Sequence, residues 1–271
     1  MRLSELGELG LLEELERRGL AQGIEHDAAE LPGGRVVTQD TLVEGVHFNP
    51  GWTTGRELGY RAAAVNLSDL AASGAEPEGL IVSLGAPPET AVDEVVELYE
   101  GLNEPGVPVL GGDTTVSERL FLTVTALGRS ARVPGRAGAR PGDILVVTGP
   151  LGAAAVAFRG EQHSRPPLRL DEGRRLGAVA HAVIDISDGL ARDAGHVARR
   201  SGCRLVIELE RVPRAPGATV EDLGFGEDHE LLAATPDRLG FPEIGRCVEG
   251  EGVELVFDGE PVQLGGWEHF A

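Results

Sequence analysis

The chain contains no lysine, and all 24 of its cationic side chains are arginine. That excludes Schiff-base chemistry and the lysine of a phosphate-binding P-loop. Cysteine is nearly absent too. Cys203 and Cys247 are too few for a disulfide scaffold or a zinc cluster. No stretch approaches the roughly 18 apolar residues that a membrane span needs. The start has neither the basic end nor the apolar core of a signal peptide, so the cytoplasm is the expected location, with both thiols reduced. Positive charge is scarce: 24 cationic against 44 acidic residues gives a net charge of −20. Such a surface argues against nucleic acid and anionic membranes as main partners. Gly-x-Ser-x-Gly, His-Glu-x-x-His and Gly-x-Gly-x-x-Gly are all missing. Serine hydrolase, zinc peptidase and dinucleotide oxidoreductase readings lose their usual support.

What is present is a folded, mixed pattern. The length of 271 residues, 41% of them hydrophobic, allows two domains with cores. Leucines at 3, 6, 9, 12 and 15 mark a helix over 3–18, weakened by Gly7 and Gly10. Strands are expected at 35–43, 79–84, 107–110 and 120–127. Helices are expected at 56–73, rich in alanine, and at 90–102, with Val92, Val95, Val96, Tyr99 and Leu102 on one stripe. The segment 130–142, rich in Gly, Pro and Arg, reads as a linker. After it come strand 144–148, helix 150–159, loop 160–168, helix 171–180, strand 182–186, helix 189–200 and strand 204–209. A strand near 230–235 and a hairpin turning on Asp258-Gly259 close the chain. The expected class is α/β in the broad sense, or α+β, in two domains: 1–138 and 139–271.

Carboxylates cluster at the ends of these elements. Asp185-Ile186-Ser187-Asp188-Gly189 sits between an apolar strand and a helix. It delivers two carboxylates and a hydroxyl at a helix start, where anions are also favoured. Capping explains one Asp but not both. Asp40-Thr41, Asp69 and Gly111-Gly112-Asp113-Thr114-Thr115 repeat the theme, and Gly226-Glu227-Asp228-His229-Glu230 adds a further acidic patch. Each of these has an ordinary reading as a turn, a cap or a solvated loop. So, taken alone, do His47, His229 and Trp267. Many carboxylates in one cleft require cations between them. Oxygen ligands of this kind suit Mg²⁺, which shares its shell with phosphate oxygens. The chain therefore reads as a Mg²⁺-phosphate enzyme.

In order, the segments resemble the thiamine-monophosphate kinase family. The resemblance rests on Asp40-Thr41-Leu42-Val43-Glu44-Gly45-Val46-His47-Phe48, on Ala64-Val65-Asn66-Leu67-Ser68-Asp69-Leu70-Ala71-Ala72 and on Gly111–Thr115. It continues through Asp185–Leu190, Gly226–Leu231 and Trp267-Glu268-His269-Phe270. It implies a two-domain fold like that of aminoimidazole ribonucleotide synthetase, paired as a homodimer. It also implies transfer of a phosphoryl group from ATP to thiamine monophosphate with Mg²⁺ bound. By the same resemblance Asp27, Thr38, Gln39, Asp40, Asp69, Asp113, Asp185 and Asp188 fall on metal positions. Asp113, Asp185 and Asp188 carry the catalytic role, Gly112, Arg136 and Ser187 fall on nucleotide positions, and His47, Glu227 and Trp267 fall on acceptor positions. The chain departs from the family pattern in places. Glu25-His26-Asp27 stands for Gly-Asp-Asp, Gln39 for Thr and His229 for Tyr, while Phe225 interrupts a glycine pair. Two alternatives stay open: another ATP-using enzyme of this fold with a different acceptor, and a non-catalytic nucleotide-binding relative.

Overall fold

The computed structural model describes residues 2–21 and 26–267. Glu25 and the Glu268–Phe270 part of the last motif lie outside them. The first half of the chain builds β1 (Ala29–Leu31), β2 (Arg35–Val43), β3 (Glu76–Ala86), β4 (Val109–Val116) and β5 (Phe121–Arg129) into one sheet. Their order is β1-β2-β5-β3-β4, and only β3 and β4 run parallel. Three helices accompany it: α1 (Leu3–Arg17), α2 (Gly55–Ala72) and α3 (Val92–Asn103). The second half forms a seven-stranded sheet of β6 (Ile144–Val147), β7 (Ala182–Asp185), β8 (Arg204–Glu208), β9 (Leu231–Thr235), β10 (Glu243–Val248), β11 (Gly252–Phe257) and β12 (Glu260–Val262). With it go α4 (Ala153–Arg159), α5 (Leu170–Val179) and α6 (Leu190–Ser201). Two mostly antiparallel sheets with helices are the α/β architecture the sequence implies.

Local chemistry explains the elements that matter. In β2, Val36, Thr38 and Leu42 are buried, and the period of two puts Asp40 on that same face. Thr54 and Glu57 cap α2 reciprocally: the Thr54 amide donates to Glu57 Oε2 at 2.8 Å, and the Glu57 amide donates to Thr54 Oγ1 at 3.3 Å. Alanines then let α2 lie close to its neighbours. Where α2 crosses α3, a Cβ on Gly59 would stand 1.9 Å from the Leu98 carbonyl oxygen, and one on Gly101 would stand 2.0 Å from that of Arg56. The backbones touch, so the crossing accepts only glycine.

Leu67, Leu70, Leu80, Val82, Leu98, Leu102 and Leu122 form the first core, and Leu145, Ile184, Leu190, Leu205, Ile207 and Leu232 the second. A third cluster, with Ala71 and Ala72 of α2 against Val146, Leu176, Val183 and Leu231, joins the two sheets. Helix α2 is therefore shared by both halves, and the ends of β2, α2 and β7 meet around one cleft.

Candidate active site

A cleft of about 1030 Å³ lies between the halves. Its acidic end is built from short segments on or beside four elements. Asp27 precedes β1, Thr38 and Asp40 lie on β2, Asp69 lies on α2, Asp185 ends β7, and Ser187 and Asp188 follow it. Carboxylate oxygens of Asp27, Asp69 and Asp185 lie within 4.8 Å of one another. Other side chains fix them. Thr38 Oγ1 donates to Asp69 at 2.5 Å, and Ser68 Oγ donates to Asp185 at 2.7 Å. Asn66 Oδ1 accepts the Asp40 amide at 3.1 Å while its own amide group holds the Ala62 carbonyl. Arg136 grips one Asp27 oxygen with Nε at 2.9 Å and Nη2 at 2.6 Å.

The electrostatics are those of a crowded anion site. Burial, with Asp185 close by, pushes the Asp27 carboxyl up to about 6 against the pull of Arg136. Burial and the neighbouring carboxylate of Asp185 push Asp40 up to about 6. Burial and Asp40 push Asp69 well above the usual carboxylate range. Burial lowers the Arg136 guanidinium, but its acidic neighbours outweigh that and raise it. Carboxylates held this way gain from a shared divalent cation, and an all-oxygen donor set suits Mg²⁺.

A polar chain leads out of this end. His229 Nδ1 is 3.2 Å from Asp185 Oδ2, His229 Nε2 is 3.7 Å from Glu227, and Glu227 pairs with Arg61. Burial alone would lower the His229 imidazole, yet its hydrogen bond to Asp185 and the nearby carboxylate of Glu227 hold it up at about 10. Burial likewise opposes ionisation of Glu227, but His229 and Arg61 bring it down to about 2. Glu227 and His229 both sit at positive φ, 60° and 51°. That strained turn aims the two side chains into the cleft. His47 lies beside them, its Nδ1 accepting the Val43 amide at 3.0 Å and its carbonyl held by Arg61 at 2.7 Å. Trp267 and His47 line the cleft with Glu227.

The structure places several of the expected residues away from the acidic end. Asp113 and Gly112 do not line the cleft. They lie within β4, at the sheet edge, and the strand expected to stop at residue 110 continues to Val116. From Asp113 the register runs through Ser83 and Thr123 to Thr41, three interstrand steps or roughly 14 Å. The same pairing puts Asp113 on the sheet face opposite Asp40. Gly112 has a packing reason of its own, since a Cβ there would stand 1.7 Å from the Val82 carbonyl oxygen. The Gln39 side chain also points to the far face, where it accepts from Thr125 Oγ1 at 2.9 Å, so only its backbone can serve the acidic end. The N-terminus of α6 does hold an anion, but the anion is its own Asp193. That carboxylate accepts the amides of Ser187, Asp188 and Gly189, each at 3.1 Å. Of the three acids in that patch only Glu227 lines the cleft, beside His229. Asp228 caps α4 through the Gly152 amide at 2.8 Å, and Glu230 is clamped by Arg169 at 2.6 and 2.7 Å.

Sequence reasoning did not single out Arg61, Asn66, Ser68 or Asp193 as site builders. Spacing held a signal for one of them: Asn66 stands three residues before Asp69 on α2 and so shares its helical face. Nothing local marks Arg61, whose partner Glu227 is 166 residues away.

The family model described as AIR synthase related protein, N-terminal domain, matches residues 25–130. The thiamine-monophosphate kinase of Aquifex aeolicus is 33% identical, over 100% of both chains. That of Methanopyrus kandleri is 36% identical over 85% of this chain and 84% of its own. The solved structure of AaThiL complexed with AMPPCP and TMP superposes with a TM-score of 0.91 at 34% identity, covering 99% of each chain. Hydrogenase maturation protein HypE in complex with ATP superposes at 0.72 with 18% identity, covering 96% of this chain and 94% of that one, which is a likeness of fold alone.

Proposed function

The chain belongs to the thiamine-monophosphate kinase family, and from that premise we propose that it transfers the γ-phosphoryl group of ATP to thiamine monophosphate, giving ADP and thiamine diphosphate. The observation that carries this reading is the meeting of Asp27, Asp69 and Asp185 within 4.8 Å in a cleft large enough for two substrates. Asp27, Thr38, Asp40, Asp69, Asp185 and Asp188, with the Gln39 carbonyl, would hold Mg²⁺. When bound, that cation screens the phosphates and orients them. Arg136 and Ser187 are assigned to the nucleotide, and His47, Glu227 and Trp267 to the acceptor.

The residues' tasks follow from phosphoryl-transfer chemistry. The attacking atom is a phosphate oxygen, ionised at neutral pH, so no strong base is required. What is required is in-line positioning of two anions that repel each other. Asp193 fixes the 187–189 loop by its three accepted amides, Ser68 fixes Asp185, and Asn66 fixes the backbone at Asp40. The Arg61–Glu227–His229–Asp185 chain links the acceptor end to the acidic end. Arg136 supplies the cationic contact that a lysine-free chain draws from guanidinium.

A homodimer completes the proposal. The sheet face carrying Gln39, Thr41, Ile81 and Asp113 is exposed, with Ile81 at 40% and Leu110, at the β4 edge, at 60%. A second copy covering this face would bury them and bring Asp113 towards the partner's cleft. We assign the domain division near residue 138 to the segment between β5 and β6, because each sheet has its own core. No helix among the described residues is long and apolar enough to cross a membrane, and the cytoplasm remains our assignment. Incubating the purified protein with ATP, Mg²⁺ and thiamine monophosphate tests the reading. Thiamine diphosphate above background is expected. ATP bound without transfer to any thiamine species would favour a non-catalytic relative.

A further inference from the structure

The acidic end accounts for phosphate binding but not for the choice of acceptor. The cleft's other wall is aromatic. Trp52 stands between β2 and α2, Phe158 near the end of α4, and Phe225 just after the short 3-10 turn at Glu221–Gly224. Trp52 and Phe158 meet edge to face, with centroids 6.4 Å apart at 88°. Phe158 and Phe225 are 5.3 Å apart and tilted by 42°. Phe158 is nevertheless 57% exposed and Phe225 36% exposed. Aromatic pairs in these geometries are favourable, but their outer faces lie open to water. Three segments far apart in sequence thus converge on an exposed apolar shelf inside a cleft, which is how small-molecule sites are built.

Charge narrows the ligand. Glu227 follows Phe225 by two residues and lines the same cleft, but Arg61 and His229 share its charge, so the ring faces carry most of the selection. Electron-rich ring faces beside a carboxylate attract a flat cation more than a neutral purine. Resting on the kinase reading above, we propose that Trp52, Phe158 and Phe225 form the acceptor-selecting surface. The acceptor's cationic heteroaromatic part lies on the Phe158–Phe225 rings, and its phosphate reaches the carboxylate end.

Both tryptophans of the chain, Trp52 and Trp267, line this cleft, so intrinsic fluorescence reports binding without turnover. Titration with thiamine monophosphate, and separately with ATP and Mg²⁺, is the test, using wild type, Phe158→Leu, Phe225→Leu and Phe158→Tyr. Each leucine variant is expected to weaken thiamine monophosphate about tenfold while changing ATP affinity less than twofold, and Phe158→Tyr, which keeps a ring, is expected to stay near wild type. Thermal melts identify variants that fail to fold, and in that case Phe158→Tyr against Phe158→Met supplies the comparison. Wild type that binds thiamine monophosphate but forms no thiamine diphosphate would defeat the kinase reading and leave the shelf standing. Unchanged acceptor affinity in the leucine variants, a loss falling on ATP instead, or no acceptor binding by wild type would overturn the shelf.

Discussion

Asp69 carries the tension of the whole site: a carboxylate on an apolar helix, pressed against Asp40 and Asp185. Asp27 and Asp40 share the strain, with folded values of about 6 against 3.8 for an ordinary aspartate. A raised acid binds its proton more tightly when folded. The stability this gives is complete below about pH 4 and is lost as pH rises through 6. The metal-free protein should therefore melt lower at pH 8 than at pH 5. Added Mg²⁺ should raise the melting temperature more at pH 8, where the carboxylates are ionised. Equal Mg²⁺ effects at both pH values would speak against the assignment. Asp185→Asn should reduce turnover by more than the 10–100-fold typical of outer partners of a metal site, with a small change in melting temperature. Asn66→Ala, which only removes the support of the Asp40 backbone, should fall inside that ~10–100-fold range. At this scale the sequence was informative for Asp27, Asp40, Asp69 and Asp185, whose motifs mark them. It was silent on Arg61 and Asp193, because an ion pair across 166 residues and an internal cap leave no local pattern.

Elements were legible where periodicity and caps agreed. Strand β2 falls on Arg35–Val43 as expected, and α2 differs by one residue at each end. Strand β4 was cut short because two glycines read as a turn, whereas they extend an edge strand against the Val82 carbonyl. Strand β10 was missed altogether. Gly245-Arg246-Cys247 shows no clean alternation, and Gly245 is there because a Cβ would stand 2.0 Å from the Val206 carbonyl oxygen. Tertiary contact, not propensity, writes these residues. The same reasoning gives a contrast between helices. Gly101→Ala, at the α2–α3 crossing, should destabilise by about 1–3 kcal/mol through overpacking. Gly195→Ala, on α6 with nothing within 4 Å of the new Cβ, should stabilise by about 0.5–1 kcal/mol. Denaturant melts of the two variants check the pair, and shifts of the same sign would contradict the packing described.

The molecule as a whole carries a net charge of −20 and leaves one face of its first sheet open. Asp113 lies on that face, outside its own cleft, so an active role requires a second copy. Mixing two inactive variants, Asp113→Asn and Asp185→Asn, separates the cases. If Asp113 acts across a dimer, random exchange restores about a quarter of wild-type activity, because one site in each mixed dimer is intact. If it acts within its own chain, mixing restores nothing. The molecular boundary was the least legible feature in the sequence. An open sheet face follows from how strands are ordered, which no local pattern records. Beneath all of this lies the claim that Asp27, Asp69 and Asp185 share divalent cations. The most direct measurement is anomalous diffraction from crystals grown with Mn²⁺ and a non-hydrolysable ATP analogue. The account predicts peaks within about 2.5 Å of oxygens from all three carboxylates. Nucleotide density in the cleft with no anomalous peak beside them would contradict it.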